Sequence, residues 1–188
     1  ALCIFVLSQD FKNELIRRGI KSDIHLTSTK VPDYFISGFD LSMRQGKAEN
    51  IMYSGRIEKA KGVYETVDTF SILKSQYKDL TLTFVGDGSE LPMLKQYVEN
   101  KKIKDVRFTG ELRGEDFKKE YINADMYLFL SYTEGMPTVV LEAMIFGLPI
   151  FTRKVGGLID FFENGKMGYI SSSLDPVVFA EAMKPYIE

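Results

Sequence analysis

Short apolar runs alternate along the chain with longer stretches whose apolar residues recur at helical spacing. Residues 126–130 (MYLFL) and 80–85 (LTLTFV) are apolar enough to be parallel strands covered on both faces. Residues 2–7, 24–27, 51–54, 105–108, 148–152 and 168–170 read as further strands, the last a short edge element. Val63, Val67, Phe70 and Leu73 make one stripe of a helix over 63–76. Helices are also predicted over 10–18, 90–100, 115–123, 137–146 and 176–187. Ser8 is the expected N-cap of the first, and Gly19 its end. Pro137 suits a first helical position, where its missing N–H costs nothing, while Gly147 and Pro149 stop that helix. Residues 37–50 read as a loop and Asn164-Gly165 as a turn. Strands alternating with single-helix crossovers predict an α/β fold, a doubly wound parallel sheet with helices on both faces.

Composition narrows the class without naming a function. The 188 residues suit one domain able to bury roughly 70% of its unfolded surface. With 45% hydrophobic and 27% charged residues, the chain is neither disordered nor membrane-spanning. Its 24 basic and 26 acidic residues give no overall field that would favour nucleic acid. Cys3, the one cysteine, excludes an internal disulfide and fits a reducing compartment, so a cytoplasmic location is expected. The chain opens directly on an apolar run, which suggests a strand already inside a fold and hence a piece of a longer protein. His25, the one histidine, reads as structural, and no His, Cys or carboxylate cluster has metal-ligand spacing.

The chemistry concentrates in residues 131–147, SYTEGMPTVVLEAMIFG, which join a buried strand to a helix. The first N–H groups of that helix, near Thr138 and Val139, lack intrahelical partners and carry the positive end of its dipole, which suits a phosphate. Glu134 and Glu142 flank the same spot and would repel that phosphate unless each held neutral hydroxyls instead. A phosphate between two hydroxylated rings satisfies both demands, and that describes a sugar nucleotide. Upstream, Arg56 and Lys61 bracket the turn before the 63–76 helix, where a guanidinium and an ammonium can hold two faces of a diphosphate. Gly86-Asp87-Gly88 begins like a dinucleotide fingerprint, but Leu91 stands where the third glycine belongs, so it reads as a tight turn. The ligand is expected outside the carboxyl ends of the strands, where Arg56, Gly86, Gly110 and Glu134 fall.

Glu134-Gly135, Glu142-Ala143-Met144 and Gly147-x-Pro149, with seven residues between the two glutamates, resemble the E-x7-E signature of retaining GT-B glycosyltransferases of the group 1, family four class. Gly55-Arg56 followed by Lys61-Gly62 matches that family's pattern, and Val155-Gly156-Gly157 resembles its V-G-G loop, with Asp160 in place of the usual Glu. Thr29-Lys30-Val31-Pro32-Asp33 replaces the family's N-G-V-D loop. The resemblance, which runs from about residue 8 to 168, implies the Rossmann-like C-terminal half of a GT-B fold. Residues 1–188 would then be one nucleotide-sugar-binding domain, with 1–40 crossing from an absent N-terminal acceptor domain and 51–170 forming the donor-site core. It further implies that Glu134, Arg56 and Lys61 are catalytic and that Glu142 holds the ribose. Gly55, Gly86, Gly110, Glu111, Leu112, Gly135, Met136, Pro137, Thr138 and Val139 would line the donor site. No cofactor and no metal are implied.

The partners implied are a nucleotide sugar, the acceptor domain and a saccharide or lipid-linked acceptor, in polysaccharide or glycoconjugate synthesis. The longer protein would be cytoplasmic or peripheral at the inner membrane face, and this piece alone inactive. Two other readings stay open: a sugar-nucleotide-binding module without catalysis, and an NAD-dependent oxidoreductase domain.

Overall fold

The computed structural model describes residues 3–27, 29–31, 35, 37–43 and 47–187. Ala1 and Leu2 of the first apolar run, and Pro32 and Asp33 of the loop after the second strand, lie outside the described residues. The chain begins with β1 (Cys3–Val6), α1 (Gln9–Arg17) and β2 (Asp23–Leu26), and β1 pairs with β2 in a parallel two-stranded sheet of its own. Ser8 caps α1 as expected, its hydroxyl accepting the Phe11 N–H at 3.2 Å.

A six-stranded parallel sheet follows. Its elements in chain order are β3 (Asn50–Ser54), α2 (Val63–Gln76), β4 (Thr81–Val85), α3 (Leu91–Asn100), β5 (Val106–Phe108) and α4 (Gly114–Asn123). Then come β6 (Met126–Phe129), α5 (Thr138–Ile145), β7 (Ile150–Arg153), β8 (Gly168–Ser171) and α6 (Pro176–Ile187). The strand order is β5-β4-β3-β6-β7-β8, so the winding reverses between β3 and β6. That reversal is a topological switch point, where two successive loops leave the sheet in opposite directions and open a crevice. Right-handed crossovers put α2 and α3 on one face and α4 and α5 on the other. α6 comes back to pack against α2.

Every residue of β6 is buried, which explains its unbroken apolar run. The Tyr53 ring packs 5.1 Å from Phe84 and 5.8 Å from Phe129, binding β4, β3 and β6 through one aromatic layer. Each fully buried ring of this kind contributes roughly 2–3 kcal/mol through removal from water.

Two expectations shift, at Pro137 and within the 37–50 stretch. Pro137 stands one position earlier than expected, as the N-cap of α5, with its carbonyl accepting the Val140 N–H at 3.0 Å. The opening apolar run does not enter the main sheet. Phe5 is 65% exposed, and α1 buries none of its residues. Within the stretch expected to be loop, Leu41–Met43 form a 3-10 turn, and Phe39 packs 4.9 Å from Phe146.

Candidate functional site

The loops leaving β3, β4 and β5 are tied together through glycines. The Gly55 N–H donates to Val85 O at 3.0 Å, and the Gly86 N–H donates to Gly110 O at 2.8 Å. A Cβ on Gly86 would stand 2.0 Å from the Gly55 carbonyl oxygen, so only glycine permits this crossing. Gly88 is equally confined, 2.4 Å from Ile57 O. The Gly86-Asp87-Gly88 turn is therefore explained by close backbone packing.

Above these glycines opens a cleft of about 350 Å³, whose walls include Gly55, Arg56, Gly86, Glu111, Leu112 and Val139, with Val85 and Asp87 between them. The first six were singled out from sequence. Phe117, from α4, adds an aromatic wall that sequence reasoning missed, since it looked like one more core residue of an amphipathic helix. Arg56 is largely exposed and forms an ion pair with Glu58 at 3.1 Å, while Glu111 pairs with Arg113 at 2.7 Å.

Lys61 and Glu134 stand outside the walls of that cleft and meet each other. Lys61 Nζ lies 2.7 Å from Glu134 Oε1, with both side chains mostly buried. Lys61 ends a 3-10 turn, and Gly62 follows with φ 66° against the end of the β6 strand, where a Cβ would stand 2.0 Å from Leu130 O. The Lys-Gly pair thus brings the ammonium to the loop that carries Glu134. Gly135 and Met136 continue that loop against the V-G-G segment. The Gly157 N–H donates to Gly135 O at 2.8 Å, and a Cβ on Gly157 would meet Met136 at 2.3 Å.

Thr138 and Val139 open α5, and Glu142 projects from its second turn. Tyr121 donates its hydroxyl to Glu142 Oε2 at 2.9 Å. Ser54 Oγ lies 2.8 Å from the hydroxyls of both Tyr121 and Tyr127, with all three side chains buried. An ionised Glu142 accepts from Tyr121, whose oxygen then accepts from Ser54, whose oxygen accepts from Tyr127. Burial pushes the Glu142 carboxyl above the usual carboxylate range, with the Tyr121 hydrogen bond opposing the rise. This relay was not legible beforehand. Its only signal was two tyrosines and a serine inside otherwise apolar segments.

Asp160, in the V-G-G segment, accepts the Gln9 N–H at 2.9 Å and so holds the start of α1. Among the described residues, no group of three or more His, Cys, Asp or Glu side chains is arranged to hold a metal ion. None of the described helices is long and apolar enough to cross a membrane.

A parallel sheet ordered this way, with cations, carboxylates and a helix start gathered at its switch point, defines a Rossmann-like α/β domain. The sequence model of the family described as "Glycosyl transferases group 1" matches residues 42–188, and the chain belongs to that family. Among curated proteins it is similar to the glycogen synthase of Mycobacterium tuberculosis, 29% identical over 146 residues, covering 77% of this chain and 35% of that protein. It is also similar to the capsular polysaccharide biosynthesis glycosyltransferase CapM of Staphylococcus aureus, 30% identical over 145 residues, covering 73% of this chain and 36% of that protein. The chain thus spans about a third of the length of these relatives. Among solved structures, S. aureus TarM in complex with UDP superposes with a TM-score of 0.80 at 17% identity, covering 97% of this chain and 36% of that one. The C-terminal domain of a group 1 glycosyltransferase, LpcC of Francisella tularensis, superposes with a TM-score of 0.66 at 23% identity, covering 73% and 74%. These neighbours share the fold, the α/β half of a GT-B glycosyltransferase.

Proposed function

We propose that this chain is the donor-binding, C-terminal domain of a glycosyltransferase that moves a sugar from a nucleotide diphosphate sugar to an acceptor with retention of anomeric configuration. The observation that carries the reading is the pairing of Lys61 with Glu134 at the switch point, beside the start of α5 and the half-buried Glu142. In this reading Glu142, oriented by Tyr121, accepts the ribose hydroxyls, and Glu134 accepts hydroxyls of the transferred sugar. Arg56, Lys61 and the N–H groups of Thr138 and Val139 face the diphosphate, whose negative charge grows as the glycosidic bond breaks. Such preorganised donors are worth about 3 kcal/mol each at a developing anion. The cations do this without a resident metal.

The cleft between Arg56, Leu112 and Phe117 takes the base, against apolar walls and backbone groups. The relatives' greater length supports a second, acceptor-binding domain whose closure over the donor excludes water. Alone, this chain then binds donor weakly and transfers nothing. The acceptor is a saccharide or lipid-linked saccharide, and the longer protein works in the cytoplasm or at the inner membrane face.

Calorimetric titration of the chain with UDP, GDP, ADP and NAD, beside Glu142→Ala, tests the proposal. Binding of one nucleoside diphosphate, lost in the variant, supports the donor site and identifies the base. Binding of NAD alone overturns it.

A further inference from the structure

A cleft of about 760 Å³ lies beside the Lys61–Glu134 pair, lined by residues outside those assigned to the donor site. Its walls are Lys59 and Ala60 of the 3-10 turn, Tyr64, Glu65 and Asp68 of α2, Tyr97 of α3, and Tyr132 of the loop after β6. Two of these segments also build the donor side. Ala60 precedes Lys61, and its carbonyl accepts the Tyr132 N–H at 2.9 Å, two residues before Glu134.

The three tyrosines share one arrangement, each donating its hydroxyl to a carboxylate. Tyr64 donates to Glu90 at 2.5 Å, Tyr97 to Asp68 at 2.8 Å, and Tyr132 to Glu65. The rings of Tyr64 and Tyr97 meet edge to face at 5.1 Å. The Arg153 guanidinium lies 4.4 Å from the Tyr132 ring, and its Nε and Nη1 have no hydrogen-bond partner, so the ring is the group it rests on. Tyr132 nevertheless remains 42% exposed.

Charge and shape together select the ligand. Glu65, Asp68 and Glu90 are balanced by Lys59, Lys101 on Asp68 at 2.6 Å, and Arg153, so the cleft attracts neither anions nor cations strongly. Each carboxylate keeps lone pairs beyond those its tyrosine uses and can accept further O–H donors. Tyr97 and Tyr132 each carry a cation over one ring face, Lys101 at 4.6 Å and Arg153 at 4.4 Å, so apolar contact falls to the opposite faces and to Tyr64. Flat apolar faces ringed by hydroxyl acceptors, with no net charge, fit a neutral carbohydrate. The volume lies within the range of small-ligand sites, about 300–1,000 Å³.

We propose that the cleft framed by Tyr64, Tyr97 and Tyr132 is a subsite for the non-reacting units of a neutral oligosaccharide acceptor. It rests on the glycosyltransferase reading, because its place beside Glu134 is what makes the bound glycan an acceptor. A glycan lying across Ala60 would extend from this cleft toward the sugar to be transferred.

The test is titration of this chain with maltoheptaose, chitohexaose and yeast mannan, with UDP titrated in parallel. At least one of the three glycans is expected to bind. Replacing both Tyr64→Ala and Tyr97→Ala should weaken it at least tenfold, with UDP affinity within twofold of the parent. Glu65→Gln keeps the shape of the cleft and should weaken the glycan several-fold, which guards against misfolding of the double variant. Failure of all three glycans to bind overturns the subsite, as does undiminished binding by both variants. Loss of UDP affinity in a folded double variant would assign the cleft to the nucleotide and also overturn it. UDP silence alongside glycan binding that both variants weaken counts against the donor site alone.

Discussion

Lys61 and Glu134 neutralise each other across 2.7 Å, each with less than a fifth of its side chain exposed, although they lie 73 residues apart in the chain. The pair sets the spacing between the first loop of the sheet and the loop at the switch point. A mostly buried charge left without its partner is costly. Lys61→Ala should therefore lower stability by about 2 kcal/mol in denaturant unfolding. Lys61→Met combined with Glu134→Gln should cost less than Lys61→Ala alone, because no charge is stranded. In the longer protein, Lys61→Ala should slow sugar transfer on the order of a hundredfold. A rate within twofold of the parent would take Lys61 out of the site.

Glu142 carries the opposite balance, with burial favouring its neutral form. Its folded-state pKa lies above the unfolded value, so the folded chain holds this proton more tightly. Stability from this group is greatest at pH below the unfolded value and falls as pH rises through the folded one. Glu142→Gln should then raise the thermal midpoint at pH 7, by a gain that vanishes below about pH 4. The same variant should weaken nucleoside diphosphate binding at least tenfold at pH 7, since an amide oxygen replaces a carboxylate as hydroxyl acceptor. A midpoint that shifts equally at both pH values would show that burial of charge is not what Glu142 contributes.

Much of this architecture was legible because period and punctuation agreed. The 63–76 helix was read to its ends, since its apolar stripe is flanked by Gly62 and closes at Tyr77. Among the cleft walls, Gly55, Gly86, Arg56 and Glu111 carry small side chains or charge, which announce themselves, as does Leu112 by following Gly110. The relay behind Glu142 was hidden because Tyr121 and Tyr127 sit in segments whose pattern already accounts for them as core. Burial alone does not reveal a hydroxyl's partner. The β1–α1–β2 unit was legible as elements but not in its burial. Apolar Phe5 and Leu26 look like core residues, yet they are 65% and 48% exposed. A hydrophobic pattern reports what a segment can bury, and not whether its cover lies within the same piece of chain.

Gly62 is the point where the first loop touches the strand that leads to the switch point. Its left-handed backbone costs a side-chain-bearing residue about 1–3 kcal/mol, and the 2.0 Å approach to Leu130 O adds a steric clash with backbone. Gly62→Ala is expected to lose about 3 kcal/mol or more and to displace Lys61. Chemical unfolding together with nucleotide titration measures both effects. An alanine variant as stable as the parent would mean that the turn has room to relax.

Asp160 reaches across 151 residues of sequence to accept the Gln9 N–H. With Ser8 taking the Phe11 N–H, two of the unsatisfied donors at the start of α1 are met, one locally and one from the V-G-G segment. That segment also touches Leu7, where a Cβ on Gly157 would come within 2.2 Å of the carbonyl oxygen. The β1–α1–β2 unit is thus pinned to the same loop that supports Gly135 beside Glu134. Asp160→Ala should cost about 1 kcal/mol, the usual worth of a helix cap. Because α1 buries nothing, that loss should appear locally, as faster amide exchange over Gln9–Arg17 with the six-stranded sheet unchanged. Asp160→Glu, one methylene longer, should restore most of the protection. Uniform acceleration across the sheet would instead mean that this contact supports the whole domain.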